Sequence, residues 1–325
     1  MGKASRTKQD SDRRARIAAQ REAQRRSEQR RRIYLAGGSI LVVAIVVIAL
    51  VLVKLNSGGG TAAASSNGPT GAALTTLTKQ VTGVPTSVTD KVAGGGINTS
   101  LFVSTPTPAA VTSASQAGTY FATVTGTPLT SGGKPEVLYM GAEYCPFCAA
   151  QRWAMVNALA RFGTFTGLTT THSSSTDADP NTPTWTFYKS TYKSNYINFT
   201  SVEETTNARQ GNSSSTSVPY VTLQTPTAAE NALGQSYDPG GSIPFIDIGN
   251  KYVQVGNLSP LDPAMLTGKT WSQVAAAMND PSSALGQAEI GNANYMTAGI
   301  CKLTNNQPVT ACTPTIQKLE GTLAS

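Results

Sequence analysis

Cys145 and Cys148 stand two residues apart in the string Glu143-Tyr144-Cys145-Pro146-Phe147-Cys148. Two thiols at that spacing can pass between dithiol and disulfide. The elements that must place them can be read on either side. Val137 to Met140 is a short unbroken apolar run, the pattern of a strand buried on both faces. Gly141 and Ala142 let the chain turn. A helix is expected to begin at the cysteines, with Pro146 where its missing N–H costs nothing. Phe147, Trp153, Val156, Leu159 and Phe162 follow at roughly helical spacing, and Gly163 is the expected stop. Unpaired N–H groups and the macrodipole at a helix start favour negative charge. Cys145 is therefore expected to be the more acidic thiol, below the free-thiol pKa of about 8.5. Cys148, one turn further in, is placed to resolve a mixed disulfide formed by Cys145.

The string after a buried strand resembles a thioredoxin-type active site, and its Cys-Pro-aromatic-Cys form is similar to that of glutaredoxins. The wider run from Gly133 to Trp153, continued by Ala158 to Gly163, resembles the membrane-anchored bacterial and archaeal family called domain of unknown function 929. That resemblance extends from about Leu74 to the C-terminus, and the family name carries no established activity. It implies an α/β, thioredoxin-like fold with a Ser/Thr-rich insertion and C-terminal helices, acting on proteins that bear thiols or disulfides. On it, Cys145 and Cys148 are catalytic. Pro244 matches the cis-proline ahead of a strand that presents backbone to the substrate; Pro219 is its rival. Tyr144, Pro146, Phe147 and Ile243 then form the substrate-binding surface. Thioredoxins proper carry a buried Asp six residues before the first cysteine. Tyr139 stands there, so that help with proton transfer is missing.

Other chemistries have little to stand on. His172 is the only histidine and lies in a polar run, more in the manner of a surface residue than a base. No metal site is expected, since a zinc ribbon wants a second close cysteine pair and Cys301 and Cys312 have ten residues between them. A c-type haem needs His after Cys148, where Ala149 stands, and no other cofactor is called for. Cys301 and Cys312 read as a structural disulfide closing a local loop, or as a second redox pair relaying electrons to the first. Glu143 and Arg152 flank the thiols as tuning groups or as solvated surface charges.

The rest of the chain supplies an address. The first 32 residues hold twelve Lys/Arg against four Asp/Glu, a net of +8, while the whole chain is +7. The basic balance is thus a property of the tail. No aromatic residue precedes Tyr34 to stack on bases, so a lipid-facing flank is expected rather than nucleic-acid binding. Ile33 to Val53 is 21 uncharged residues, about 31 Å as a helix, enough to span a hydrocarbon core. With cations before it and only Lys54 just after, residues 33–55 are expected to anchor the chain with its N-terminus in the cytoplasm of a plasma membrane. Ala62 to Ala64 keeps a cleaved signal peptide as the rival. A Gly/Ser/Ala/Thr tether at 56–73 leads to a domain at 74–325 outside the cytoplasm, which partners there, a membrane redox protein among them, would meet.

Within that domain Leu74 to Gly133 is read as one or two short helices and a few strands. Thr164 to Thr171 is read as the second strand of the thioredoxin-like half, and about 172–241 as an insertion holding strands at Tyr196–Val202 and Val218–Leu223. Gly249-Asn250 between two apolar runs predicts a hairpin. Helices are expected at Thr270–Met278, packed on the sheet, at about Ser282–Ile300, and from Thr313 to Leu323.

Overall fold

Eight residues, Lys134–Gly141, form the strand at the middle of the principal sheet, and their apolar second half is buried on both faces. The computed structural model describes residues 68–97, 103–105, 121–256 and 261–323. All of these lie within one of two units into which the chain divides, Ala64–Ser325. The expected anchor at 33–55 lies outside the described residues. Among the described residues no helix is long and apolar enough to cross a membrane.

In chain order, two short helices, α1 (Gly71–Thr82) and α2 (Thr86–Val92), precede the strands β1 (Val103–Thr105), β2 (Ala122–Val124), β3 (Thr130–Ser131) and β4 (Lys134–Gly141). Helix α3 (Pro146–Ala160) follows at once, then β5 (Gly163–Thr166), β6 (Thr169–His172), β7 (Pro183–Thr186), β8 (Thr191–Ser194), β9 (Asn198–Glu203), β10 (Thr205–Arg209) and β11 (Tyr220–Thr222). Helix α4 (Ala228–Tyr237) leads to β12 (Phe245–Ile248) and β13 (Tyr252–Val255), and the chain closes on α5 (Trp271–Met278), α6 (Ala284–Leu303) and α7 (Pro314–Glu320).

The principal sheet runs β1-β2-β13-β12-β4, with β9 parallel to β4 and the short β3 pairing the first residues of β4. β12 is antiparallel to both β4 and β13. The β12–β13 turn carries Gly249 and Asn250 at φ +67° and +53°, the left-handed pair that a tight hairpin turn requires. The period of two divides the core. Val137, Tyr139, Ile246 and Ile248 face a large apolar cluster with α3 and α6, while Leu138, Met140, Phe245 and Val253 face a smaller one with Tyr237 of α4.

Helix α6 is buried along most of its length and packs against α3, α5, α7 and α2. Gly291 is required there, because a Cβ would lie 2.8 Å from the Cα of Gly95. Polar side chains stitch the amino-terminal helices to this layer. Asn157 Nδ2 donates to Val81 O at the end of α1 (2.8 Å), and Asn294 Nδ2 donates to Thr89 O (2.8 Å) and Ala93 O (2.7 Å) at the end of α2. Arg161 bridges the two asparagines.

Three expectations about placement are corrected. Thr164–Thr171 does not form the second parallel strand: β5 and β6 pair with β8 and β7 in two small separate sheets. The parallel neighbour of β4 is β9, from inside the stretch read as an insertion. The strand expected at Tyr196–Val202 is there as β9, but nothing local showed that its partner lies some sixty residues earlier. Helix α5, expected to pack on the sheet, packs chiefly on α1 and α6, and meets β7 of a small sheet through Trp271 Nε1, which donates to Thr184 O at 2.8 Å. Finally, α3 ends at Ala160 with Arg161 in a right-handed conformation, and Gly163 opens β5 instead of terminating the helix.

Candidate active site

β4 delivers the chain to Gly141, and the dithiol helix starts five residues later. A Cβ at Gly141 would lie 2.2 Å from Tyr139 Oη and 3.0 Å from Cys148 Sγ, so only glycine passes between strand and thiol. The same two distances hold those atoms no more than 5.2 Å apart. Cys145 is the N-cap of α3 with Pro146 following, and its Sγ accepts the backbone N–H of Cys148 at 3.3 Å. A sulfur thus takes the place usually filled by a Ser, Thr or Asp oxygen. On its other side Cys145 Sγ donates to the carbonyl of Ile243 at 3.9 Å. The Ile243–Pro244 peptide that follows is cis. Gln307–Pro308 is the other cis peptide among the described residues, and Pro219 is not one.

The two thiols are pushed apart in acidity. Hydrogen bonding from the Cys148 thiol, then from the Cys148 backbone N–H, together with the Arg152 charge, holds Cys145 below the ordinary thiol value against the opposing effect of burial. Burial, then the shared hydrogen bond with Cys145, pushes Cys148 well up. Cys145 is therefore the more acidic thiol, and Cys148 the one that holds its proton more tightly. Cys145 is only 5% exposed and Cys148 is fully buried. Cys145 is thus buried, although it stands at a helix start.

Beneath the pair lies a buried ion pair. Arg152, one turn after Cys148, donates from Nε to Glu203 Oε1 at 2.9 Å and from Nη2 to Glu203 Oε2 at 2.7 Å, with both side chains fully buried. Nη2 also reaches Ala142 O at 2.7 Å, which ties the turn before the cysteines to the helix after them. The guanidinium carbon lies 5.8 Å from the Tyr139 ring. Arg152 is thus no solvated surface charge, and its positive charge acts to lower the pKa of both thiols. Glu143 is largely buried too, and that burial raises its carboxyl pKa. Tyr139, at the place of the missing acid, keeps a buried hydroxyl with no hydrogen-bond partner, and burial holds that phenol protonated.

Of the residues expected to form a surface, Phe147, Tyr144 and Ile243 are partly exposed and Pro146 is buried. Tyr144 is stacked on Tyr220 of β11, centroids 4.1 Å apart, and Arg209 of β10 caps that ring at 4.0 Å. Nothing in the sequence points to Tyr220 or Arg209, because a stack between segments seventy-six residues apart leaves no local signal. His172 is half-buried and hydrogen-bonded through Nδ1 to Ser173 O, beside Asn207. Cys301 and Cys312 form a disulfide, S–S 1.97 Å, that joins the end of α6 to the start of α7 and is buried. Among the described residues no group of three or more His, Cys, Asp or Glu is placed to hold a metal ion.

Fold and site together define a mixed α/β domain with a dithiol at the mouth of its central helix. The family model described as Domain of unknown function (DUF929) matches residues 120–302, more than half of the chain. The chain belongs to that family. No curated protein and no solved structure matches it.

Proposed function

We propose that the domain is a thioredoxin-like thiol-disulfide oxidoreductase, held at a membrane by residues 33–55 and acting outside the cytoplasm on thiol- or disulfide-bearing proteins. The observation that carries this reading is the Cys145 sulfur, held between the N–H groups of a helix start and the Ile243 carbonyl just before a cis-proline. The strand order β9-β4-β12-β13, with the first two parallel and the last two an antiparallel hairpin, supports the fold comparison. The membrane placement rests on the charge and hydropathy of the first 55 residues.

In the reaction, the Cys145 thiolate attacks one sulfur of a partner disulfide. A bond forms between the two sulfurs, and the other partner sulfur leaves as a thiolate and takes up a proton. Cys148 then gives up its proton and attacks Cys145. The Cys145–Cys148 bond closes, and the second partner thiolate leaves. The partner has gained two electrons and the domain has lost two; the reverse sequence oxidises the partner. Arg152 favours the thiolate at both stages by its charge.

The test is Cys148→Ser in the full chain. A mixed disulfide on Cys145 should accumulate with partner proteins and be absent from the Cys145→Ser, Cys148→Ser double variant. No trapped species, together with a Cys145 pKa near the free-thiol value of about 8.5, sinks the reading. The small exposure of Cys145 favours one alternative, a partner-binding module in which the pair is structural. A redox titration separates the two, since structural disulfides generally lie below about −300 mV.

A further inference from the structure

Beside Ile243, whose carbonyl receives the Cys145 thiol, a crevice of about 50 Å³ opens between α4 and the Gly241–Phe245 segment. That is more than the roughly 10–15 Å³ one water occupies, and it suits the end of a side chain. Met140 near the end of β4, Glu204 after β9, and Gln235, Asp238, Ser242 and Ile243 are among the residues that line it.

The two carboxylates are differently employed. Asp238 is committed to the loop, its Oδ1 accepting the N–H of Gly240 at 3.0 Å and its Oδ2 that of Ser242. Glu204, between β9 and β10, is held by backbone bonds, its N–H to Gly141 O and its carbonyl to Leu223 N–H. Its side chain is half-buried, and burial raises its carboxyl pKa with no offsetting donor or cation among the described residues. A half-buried carboxylate in that position gains from a visiting cation. One free carboxylate is too few for a hard divalent ion, which needs about six oxygens. An aliphatic stem ending in a single positive charge fits both the Met140 wall and Glu204.

We propose that this crevice is a subsite for a lysine or arginine side chain of the partner polypeptide, one or two residues from the cysteine that reacts with Cys145. The reach follows from an extended chain advancing about 3.3 Å per residue past Ile243, which lines the crevice and whose carbonyl contacts the sulfur. The inference rests on the exchange reaction proposed above and names the substrate class for it.

The experiment uses the reduced full chain and short cysteine peptides activated as mixed disulfides with thionitrobenzoate. Attack by Cys145 forms a Cys145–peptide disulfide, breaks the bond to thionitrobenzoate and releases that coloured thiolate, whose appearance gives the rate. Peptides carry Lys, Glu or norleucine next to the cysteine, or Lys five positions away. The adjacent-Lys peptide should react about fivefold faster than the others, the size of a partly exposed ion pair. That ratio should fall to about one in Glu204→Gln and invert in Glu204→Lys. Equal rates for near and distant Lys in the unmodified chain overturn the subsite, whatever the variants do. So does a preference that survives Glu204→Gln. In either of those cases the exchange reaction itself stands. Release from no peptide overturns both.

Discussion

At the scale of single residues, acidity is set by what each buried group lacks. Asp247 on β12 is the clearest case outside the site. It is fully buried, one oxygen accepts the N–H of Asn250, the other has no hydrogen-bond partner, and Glu136 adds a like charge nearby. Burial raises its pKa to about 7 from an ordinary 3.8. The folded chain therefore holds a proton that the unfolded chain has released between those values, so this group's contribution is fully present below about pH 4. It is lost as pH rises toward 7 and stays lost above it. At about 1.36 kcal/mol per unit the loss is on the order of 4 kcal/mol. Asp247→Asn keeps the acceptor for Asn250 and removes the titration. Urea denaturation across pH 4 to 8 should show the variant gaining on the parent as pH rises; parallel curves would refute the assignment.

At the scale of elements, one ion pair fastens helix to sheet under the thiols. Arg152 belongs to α3 and Glu203 to the end of β9, and the arginine also holds the carbonyl of Ala142. Glu203→Gln leaves a buried guanidinium without its counter-charge, at a cost of about 3–5 kcal/mol in unfolding free energy. It also leaves that positive charge unbalanced near the thiols, so the Cys145 pKa, followed by thiolate absorbance, should fall further. A destabilised variant with an unmoved thiol would mean that Arg152 braces the helix and does not act on the sulfur. The elements that could be read from sequence are those whose signal is local. The buried run into Cys145 (β4 and α3), the Gly249-Asn250 hairpin, the strand expected at Tyr196–Val202, the helix of Thr270–Met278 and the Thr313 cap all appear where their residues pointed. What stayed hidden is nonlocal. β9, in a Ser/Thr-rich stretch, takes its pairing from the distant β4, Tyr144 meets Tyr220, and Arg152 is buried because Glu203 comes to meet it. A lone charge on a helix gives no sign of a counter-ion fifty-one residues later.

At the scale of the whole molecule, the proposed chemistry and the expected membrane address fall in different parts of the chain. The chain divides after Ala63, and every residue of the candidate site belongs to the Ala64–Ser325 unit. That unit carries its own packing and its own staple: the buried Cys301–Cys312 disulfide closes α6 onto α7, an arrangement suited to an oxidising compartment. The first 32 residues hold nearly all the excess positive charge, twelve cations to four anions, directly before 21 uncharged residues. Charge of that kind is retained on the cytoplasmic side because moving it across is unfavourable. The expected arrangement places an amino-terminal epitope inside and residues 64–325 outside. Added to intact cells with the outer surface exposed, a protease should digest the domain and leave the epitope, in a fragment that alkaline carbonate does not extract. Loss of the epitope with the domain intact would put the dithiol in a reducing compartment, where a disulfide exchanger would meet few disulfides to exchange. An extractable, epitope-free domain would instead mean cleavage near Ala62 to Ala64, with the same chemistry released from the bilayer.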